Sequence, residues 1–395
     1  MVTTSSLNHI RLFYAAYFAA MGLILPYFPV YLEQIGLSAV MIGMITGLLA
    51  AAKVIAPPWL GHHLNHQSDI TIRRVLVAAS LLAALFALLL GVSHQLFAVA
   101  LVTLLFGTCW AVILPLTDGL SVSISEAALA DYGRLRVWGS LGFVLTSFAG
   151  GAWLMENNQI TTFPWLLALL MLITAFATYG FPSLHSPTTA HDMSLPLLSR
   201  PFVLLLILTF IMQLSHGAYY GFFSLYLAQA GYSGWQIGLY WVVGVLAEMV
   251  LMWLCSRPLQ QISPAWLFTI CMVLAALRWF GTAITTDMNW LIALQLLHAA
   301  SFAAFHVAAV VWVKRFTPDS LHAAAQGWYS ALGFGLGGCI GIMGCGWIVE
   351  LYGFSAAFYS CAAIALLGIP FSLLLPGRHL TPNTRLSLDS ESSRE

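Results

Sequence analysis

The sequence predicts an all-α polytopic membrane protein with twelve transmembrane helices in two pseudo-symmetric six-helix halves. Three observations predict it. Of its 395 residues, 60% are hydrophobic and 7% are charged, whereas a soluble domain carries about 45–50% apolar and about 25% charged residues. Apolar runs long enough to cross a bilayer, about 20 residues each, recur along the chain. Lys and Arg cluster on alternate connections between those runs.

In order, the twelve runs are 10–32, 39–60, 73–92, 95–121, 134–155, 162–182, 202–228, 235–256, 265–285, 289–313, 323–349 and 354–375. Counted from a cytoplasmic N-terminus, the inner connections and adjoining helix ends hold Arg11, Arg73, Arg74, Arg134, Arg136, Arg200, Arg257, Lys314, Arg315, Arg378, Arg385 and Arg394. The outer connections hold only acids: Glu33, Glu156, Asp287 and Glu350. Lys and Arg stay on the cytoplasmic side, so both termini are expected there. The first run is expected as a retained helix, because the basic, apolar and small-residue order of a cleaved signal is missing. Net charge is zero, which gives no case for nucleic-acid binding.

A polar stretch, SLHSPTTAHDMSLPLLSR, falls near the midpoint. It divides the chain into an N-terminal half (1–182), a cytoplasmic linker (183–200), a C-terminal half (201–376) and a cytoplasmic tail (377–395). GLILPYFPVYLEQIGLSAVMIG at 22–43 recurs as GAYYGFFSLYLAQAGYSGWQIG at 217–238, an offset of 195. Parallel repeats of this kind mark one large class of secondary transporters, with the substrate site between the halves. The same offset sets Lys53 opposite Glu248 at similar depth. Gly333, Gly337 and Gly341 recur every fourth residue in the eleventh run, a spacing that lets helix backbones pack closely.

Candidate site residues are the charges the bilayer should exclude. Asp118, Glu126, Asp131, Arg134 and Arg136 fall within nineteen residues, with Asp118 at the end of the fourth run and Arg136 at the start of the fifth. Charged groups inside a membrane cost about 2.5–3.5 kcal/mol each on insertion scales and persist where they pair or face a wet cavity. Glu248 has no partner three or four residues away, so its partner must come from another helix; such a carboxyl is a candidate proton carrier. Arg278 is likewise isolated on the ninth helix. His298 and His306 lie eight residues apart and share a face. His216, Tyr219 and Tyr220 are candidates to line a cavity for an aromatic or polar ligand, with simple packing the competing reading for the tyrosines. The stretch HHLNH (His62, His63, His66) has the form of a single metal box and reads as a hydrated inner loop. The six cysteines lie in apolar runs without metal spacing, so neither metal nor cofactor is expected.

With PLTDGL, DYGRLRVWGS, HGAYYGF, AGYS, GVLAE, LRW and LQLLHAASFAAFH in place, the chain resembles the major facilitator superfamily over nearly its whole length, and within it the bacterial 3-phenylpropionate permeases. It is similar, more distantly, to lactose permeases and proton-linked nucleoside permeases. The resemblance implies a monomeric carrier in the bacterial inner membrane that imports a small aromatic carboxylate with a proton by alternating access. It implies substrate contacts from Asp118, Arg136 and Glu248, with Glu248 meeting Arg136 across the interface, and proton coupling through Arg278 and His298. The chain departs from the lactose-permease pattern at Ser301 and Gln295, where an acid and a lysine are usual, so Glu248, His298 and His306 stand as candidate carriers. GHHLNH also carries Asn65 where the superfamily has an acid. Sugar or nucleoside symport remains an alternative within transport; a membrane-bound metal enzyme or a sensor is the alternative outside it.

Overall fold

The computed structural model describes residues 4–64, 67–182, 199–259, 262–318 and 321–376. Most of the linker (183–198), the tail (377–395), and Asn65 and His66 lie outside the described residues. Twelve helices are long and apolar enough to cross a membrane: α1 (Ser5–Gln34), α2 (Ala39–Leu64), α3 (Asp69–Val92), α4 (Leu96–Ala127), α5 (Tyr132–Met155), α6 (Ile160–Tyr179), α7 (Arg200–Gln229), α8 (Gly234–Leu254), α9 (Pro264–Ile284), α10 (Met288–Phe316), α11 (Ala324–Tyr352) and α12 (Phe354–Leu373). Helices are one of two ways to satisfy every backbone group in hydrocarbon, and there is no strand among the described residues.

Two differences from the expected boundaries bear on the residues singled out above. α4 continues six residues past the predicted end, so Asp118 lies well inside a helix and not at its terminus. The extension is polar, yet its hydroxyls bond back to the helix: Ser123 Oγ donates to Gly119 O at 3.3 Å and Ser125 Oγ to Ser121 O at 2.6 Å. His62 and His63 belong to the last turn of α2, not to a loop, and the His63 ring nitrogen Nδ1 lies 2.8 Å from Trp59 O.

The repeat is carried in hydrogen bonds as well as residues. α1 and α7 both end on a left-handed glycine, Gly36 (φ +88°) and Gly231 (φ +86°), a conformation glycine enters without the clash of a Cβ. Beyond each, the next amide closes the same wide turn: Leu37 N to Leu32 O at 3.2 Å and Tyr232 N to Leu227 O at 3.1 Å. Tyr31 of α1 donates to Leu90 O at 3.1 Å; its counterpart Tyr226 of α7 donates to Thr285 O at 3.3 Å and Thr282 O at 2.8 Å.

The halves meet through α1 with α7, α2 with α11, and α5 with α8. On the face opposite the termini the backbones nearly touch. A Cβ on Gly43 would lie 2.9 Å from Gly346 Cα, and one on Gly151 would strike the Gly234 carbonyl. Two acids cross the same seam. Glu350 of α11 accepts from Val40 N in the first turn of α2 at 3.3 Å. Glu156, just after α5, accepts from Trp235 N in the first turn of α8 at 3.4 Å. Carboxylates are favourable at helix N-termini. The glycine stripe of α11 packs against α7, with Gly333 on Thr209, Gly337 on Phe210 and Gly341 on Leu214.

Candidate functional site

Of the five charges between Asp118 and Arg136, two turn inward. Asp131 caps α5, its Oδ1 accepting from Gly133 N at 2.8 Å, and pairs with exposed Arg134 at 3.7 Å; this start sets Arg136 one turn into the helix. Arg136 Nη1 lies 3.1 Å from Asp118 Oδ1 and 3.3 Å from Oδ2. Asp118 Oδ1 also accepts from Tyr14 Oη at 2.6 Å and Tyr132 Oη at 3.0 Å. The pair is half-buried, with side chains 39% and 32% exposed. The Arg136 guanidinium stands over the Phe18 ring at 5.2 Å and the Tyr14 ring at 5.6 Å. One turn along α1, Tyr17 stacks on Trp110 at 5.8 Å, and the Lys53 ammonium lies 5.6 Å from the Trp110 centroid.

In the other half, α7, α10 and α11 are irregular. α7 breaks at Ser215 and His216. There the Met212 carbonyl is satisfied by side chains, the Ser215 hydroxyl and His216 Nδ1, each at 2.7 Å. α10 turns at Leu297 and runs as a π-helix over Ala299–Ala304; α11 does so over Ala331–Gly337. Discontinuous helices and π segments recur at transport and functional sites, because they free backbone groups and re-aim side chains.

His298 sits between Arg278 and Glu248. Arg278 Nη1 lies 2.7 Å from His298 Nδ1, and His298 Nε2 lies 2.7 Å from Glu248 Oε1. A guanidinium only donates, so Nδ1 must accept; the ring is then neutral, with its proton on Nε2 donated to Glu248. Arg278 also donates to Gln295 Oε1 at 2.8 Å and Ser301 Oγ at 3.3 Å, the two positions where the family pattern has charges. Its guanidinium lies 4.3 Å from the ring centroids of Tyr219 and Trp279. Gly244 of α8 keeps this packing open, since a Cβ there would sit 3.2 Å from His298 Cδ2.

Arg278, His298 and Glu248 are thus brought together, with Tyr219 against them. His216 stacks on Tyr220 at 5.6 Å and lies 6.2 Å from His298, ring to ring. Its Nδ1 donates to a carbonyl, while the buried Nε2 has no partner among the described residues. His306 is separate: Phe302 stacks between it and His298, and its Nδ1 lies 2.7 Å from Tyr329 Oη. Arg136 and Glu248, expected to meet, do not pair; each is bonded within its own half. Tyr14, Tyr132 and Tyr329 were not singled out from sequence. Tyr14 had a signal in its spacing from Tyr17 and Phe18 on one helix face; Tyr329 had none.

A model of the MFS_1 like family matches residues 7–360. A probable 3-phenylpropionic acid transporter of Escherichia coli (strain K12) is 29% identical over 386 residues, covering 94% of this chain and 97% of the relative. A maltose permease of Geobacillus stearothermophilus is 29% identical over 379 residues, covering 94% of each. The crystal structure of the nucleoside transporter NupG superposes with a TM-score of 0.79 at 17% identity, covering 93% of this chain and 98% of that one.

Proposed function

The chain belongs to the MFS_1 like family of membrane transporters, and on that footing we propose that it imports a small aromatic carboxylate such as 3-phenylpropionate together with a proton. It is a carrier and not an enzyme. It works as a monomer in the bacterial inner membrane, both termini in the cytoplasm, and its halves rock about a midplane site. The relative named for 3-phenylpropionic acid supports the substrate class.

What carries the proton reading is the chain of bonds from Arg278 through His298 to Glu248. His298 has both nitrogens engaged and cannot gain a proton without releasing Arg278. Glu248 can, because a protonated carboxyl still accepts from His298 Nε2 through its other lone pairs. An incoming carboxylate is repelled by an ionised Glu248 and not by a neutral one. Substrate and proton therefore favour each other's binding, and by linkage the preference is reciprocal. Glu248 is the main carrier, His298 fixes its orientation, and Arg278 holds His298 in the donating tautomer. Asp118 with Arg136 forms the facing wall, and His216, Tyr219 and Tyr220 border the site from α7. His306, outside the Glu248 chain, has no part in this scheme.

The test is uptake into proteoliposomes with an imposed proton gradient, across aromatic acids, sugars and nucleosides. Wild type concentrates 3-phenylpropionate. Glu248→Gln exchanges it across the membrane but does not accumulate it. Accumulation by Glu248→Gln, or selective uptake of a sugar or nucleoside, overturns the proposal.

A further inference from the structure

Lys53, Arg136 and Arg278 are cations carried within the spans, and Asp118 and Glu248 are carboxylates within them. Arg136 is met by Asp118. Arg278 is met through His298 by Glu248, with Gln295 and Ser301 besides. Lys53 has neither carboxylate nor hydrogen-bond acceptor among the described residues; its ammonium has the Trp110 ring. The Trp110 indole N–H is buried and also lacks an acceptor among the described residues. Two donors, the Lys53 ammonium and the Trp110 N–H, thus stand without an acceptor at one contact. A ring face is a weak substitute for a counter-ion inside a membrane span.

Around that contact the side chains are aromatic, Trp110 and Tyr17 buried and Phe18 half-buried. Trp110 stacks with Tyr17 at 5.8 Å, Tyr17 meets Phe18 edge-on at 5.7 Å, and the Arg136 guanidinium covers Phe18. The panel has an ammonium over one end and an already neutralised guanidinium over the other.

We infer that Lys53 and Trp110 form the anion subsite of the carrier. The ammonium takes the carboxylate of a monoanionic aromatic acid, and the acid's ring packs on half-buried Phe18 at the edge of the Trp110–Tyr17 stack. Lys53 sets the preference for an anion, while Arg136, held by Asp118, lines the site without bearing the substrate's charge. The missing acceptor is thereby supplied by the substrate. The inference rests on the aromatic-carboxylate reading of the site.

Counterflow of labelled 3-phenylpropionate in proteoliposomes tests it, with unlabelled acid and its neutral amide as competitors. Wild type is expected to be inhibited by the acid and not by the amide. Lys53→Gln and Lys53→Met should raise the half-inhibiting acid concentration at least about tenfold while admitting the amide; Lys53→Arg should stay near wild type. Both neutral variants should fold, because an ammonium without a counter-ion does not hold the bundle together. Wild-type acid affinity in the neutral variants, loss of the acid without admission of the amide, or failure of both to fold overturns Lys53 as the subsite. If wild type takes neither compound, the aromatic-carboxylate reading itself falls, and this inference with it.

Discussion

His298 Nε2 stands 2.7 Å from Glu248 Oε1, across the gap between α10 and α8. With Arg278 on its other nitrogen, His298 is the middle of a three-residue chain whose members come from three helices. Its first consequence concerns stability. Arg278→Met leaves Gln295 and His298 without their donor and Glu248 without its indirect counter-charge. Breaking a buried ionic network costs about 3–5 kcal/mol, and a loss in that range is expected in detergent unfolding. Adding Glu248→Gln should restore part of it, because the carboxylate left uncompensated is then gone. A double variant no more stable than Arg278→Met would sever the energetic link between the two.

His306 is bonded to Tyr329 and separated from His298 by the Phe302 ring. His306→Phe should change proton-driven accumulation by less than about threefold. A collapse of accumulation with exchange intact would move the proton to this part of α10.

Tyr14→Phe removes the shortest bond to Asp118, at 2.6 Å. Bonds to charged groups contribute about 1.5–3 kcal/mol. Asp118 is 32% exposed and keeps Tyr132 and Arg136, so a cost of about 1 kcal/mol is expected by chemical unfolding. Tyr132→Phe, losing a 3.0 Å bond, should cost less. The reverse order would make Tyr132 the main support of Asp118.

Gly151 lies against the Gly234 carbonyl where the halves meet opposite the termini. Gly151→Val cannot close that contact without separating α5 from α8. Substrate binding should survive while exchange falls at least about tenfold, since a carrier held open on one face cannot cycle. Wild-type exchange in this variant would show the contact to be dispensable.

The sequence makes the bilayer's demands plain and the site's only in part. Twelve apolar runs and the placement of Lys and Arg follow from hydrocarbon thickness and charge cost, so the helices could be read directly. The offset of 195 is visible because Gly36 and Gly231 must enter the same conformation, and Tyr31 and Tyr226 make matching bonds. Glu248 and Arg278 stood out as charges without local partners, and the partner of each came from another helix. Which helix was not legible, since pairing across a bundle leaves no periodicity in one chain. The break at His216 and the π segment after His298 leave no mark in the sequence because both runs stay apolar; the break is held by hydroxyl and imidazole bonds to the single carbonyl of Met212.

The two acids that cross the seam, Glu156 onto α8 and Glu350 onto α2, mean that each half lends a contact to a helix start of the other. Each borrows a contact from the other, so separation removes both at once. Two such contacts at about 0.3–1 kcal/mol each favour the joined arrangement by roughly threefold to thirtyfold. That margin holds a door without locking it: differential binding worth about 2 kcal/mol reverses it. Reciprocal contact thus gives the resting molecule a default posture while keeping the return journey within reach of thermal motion.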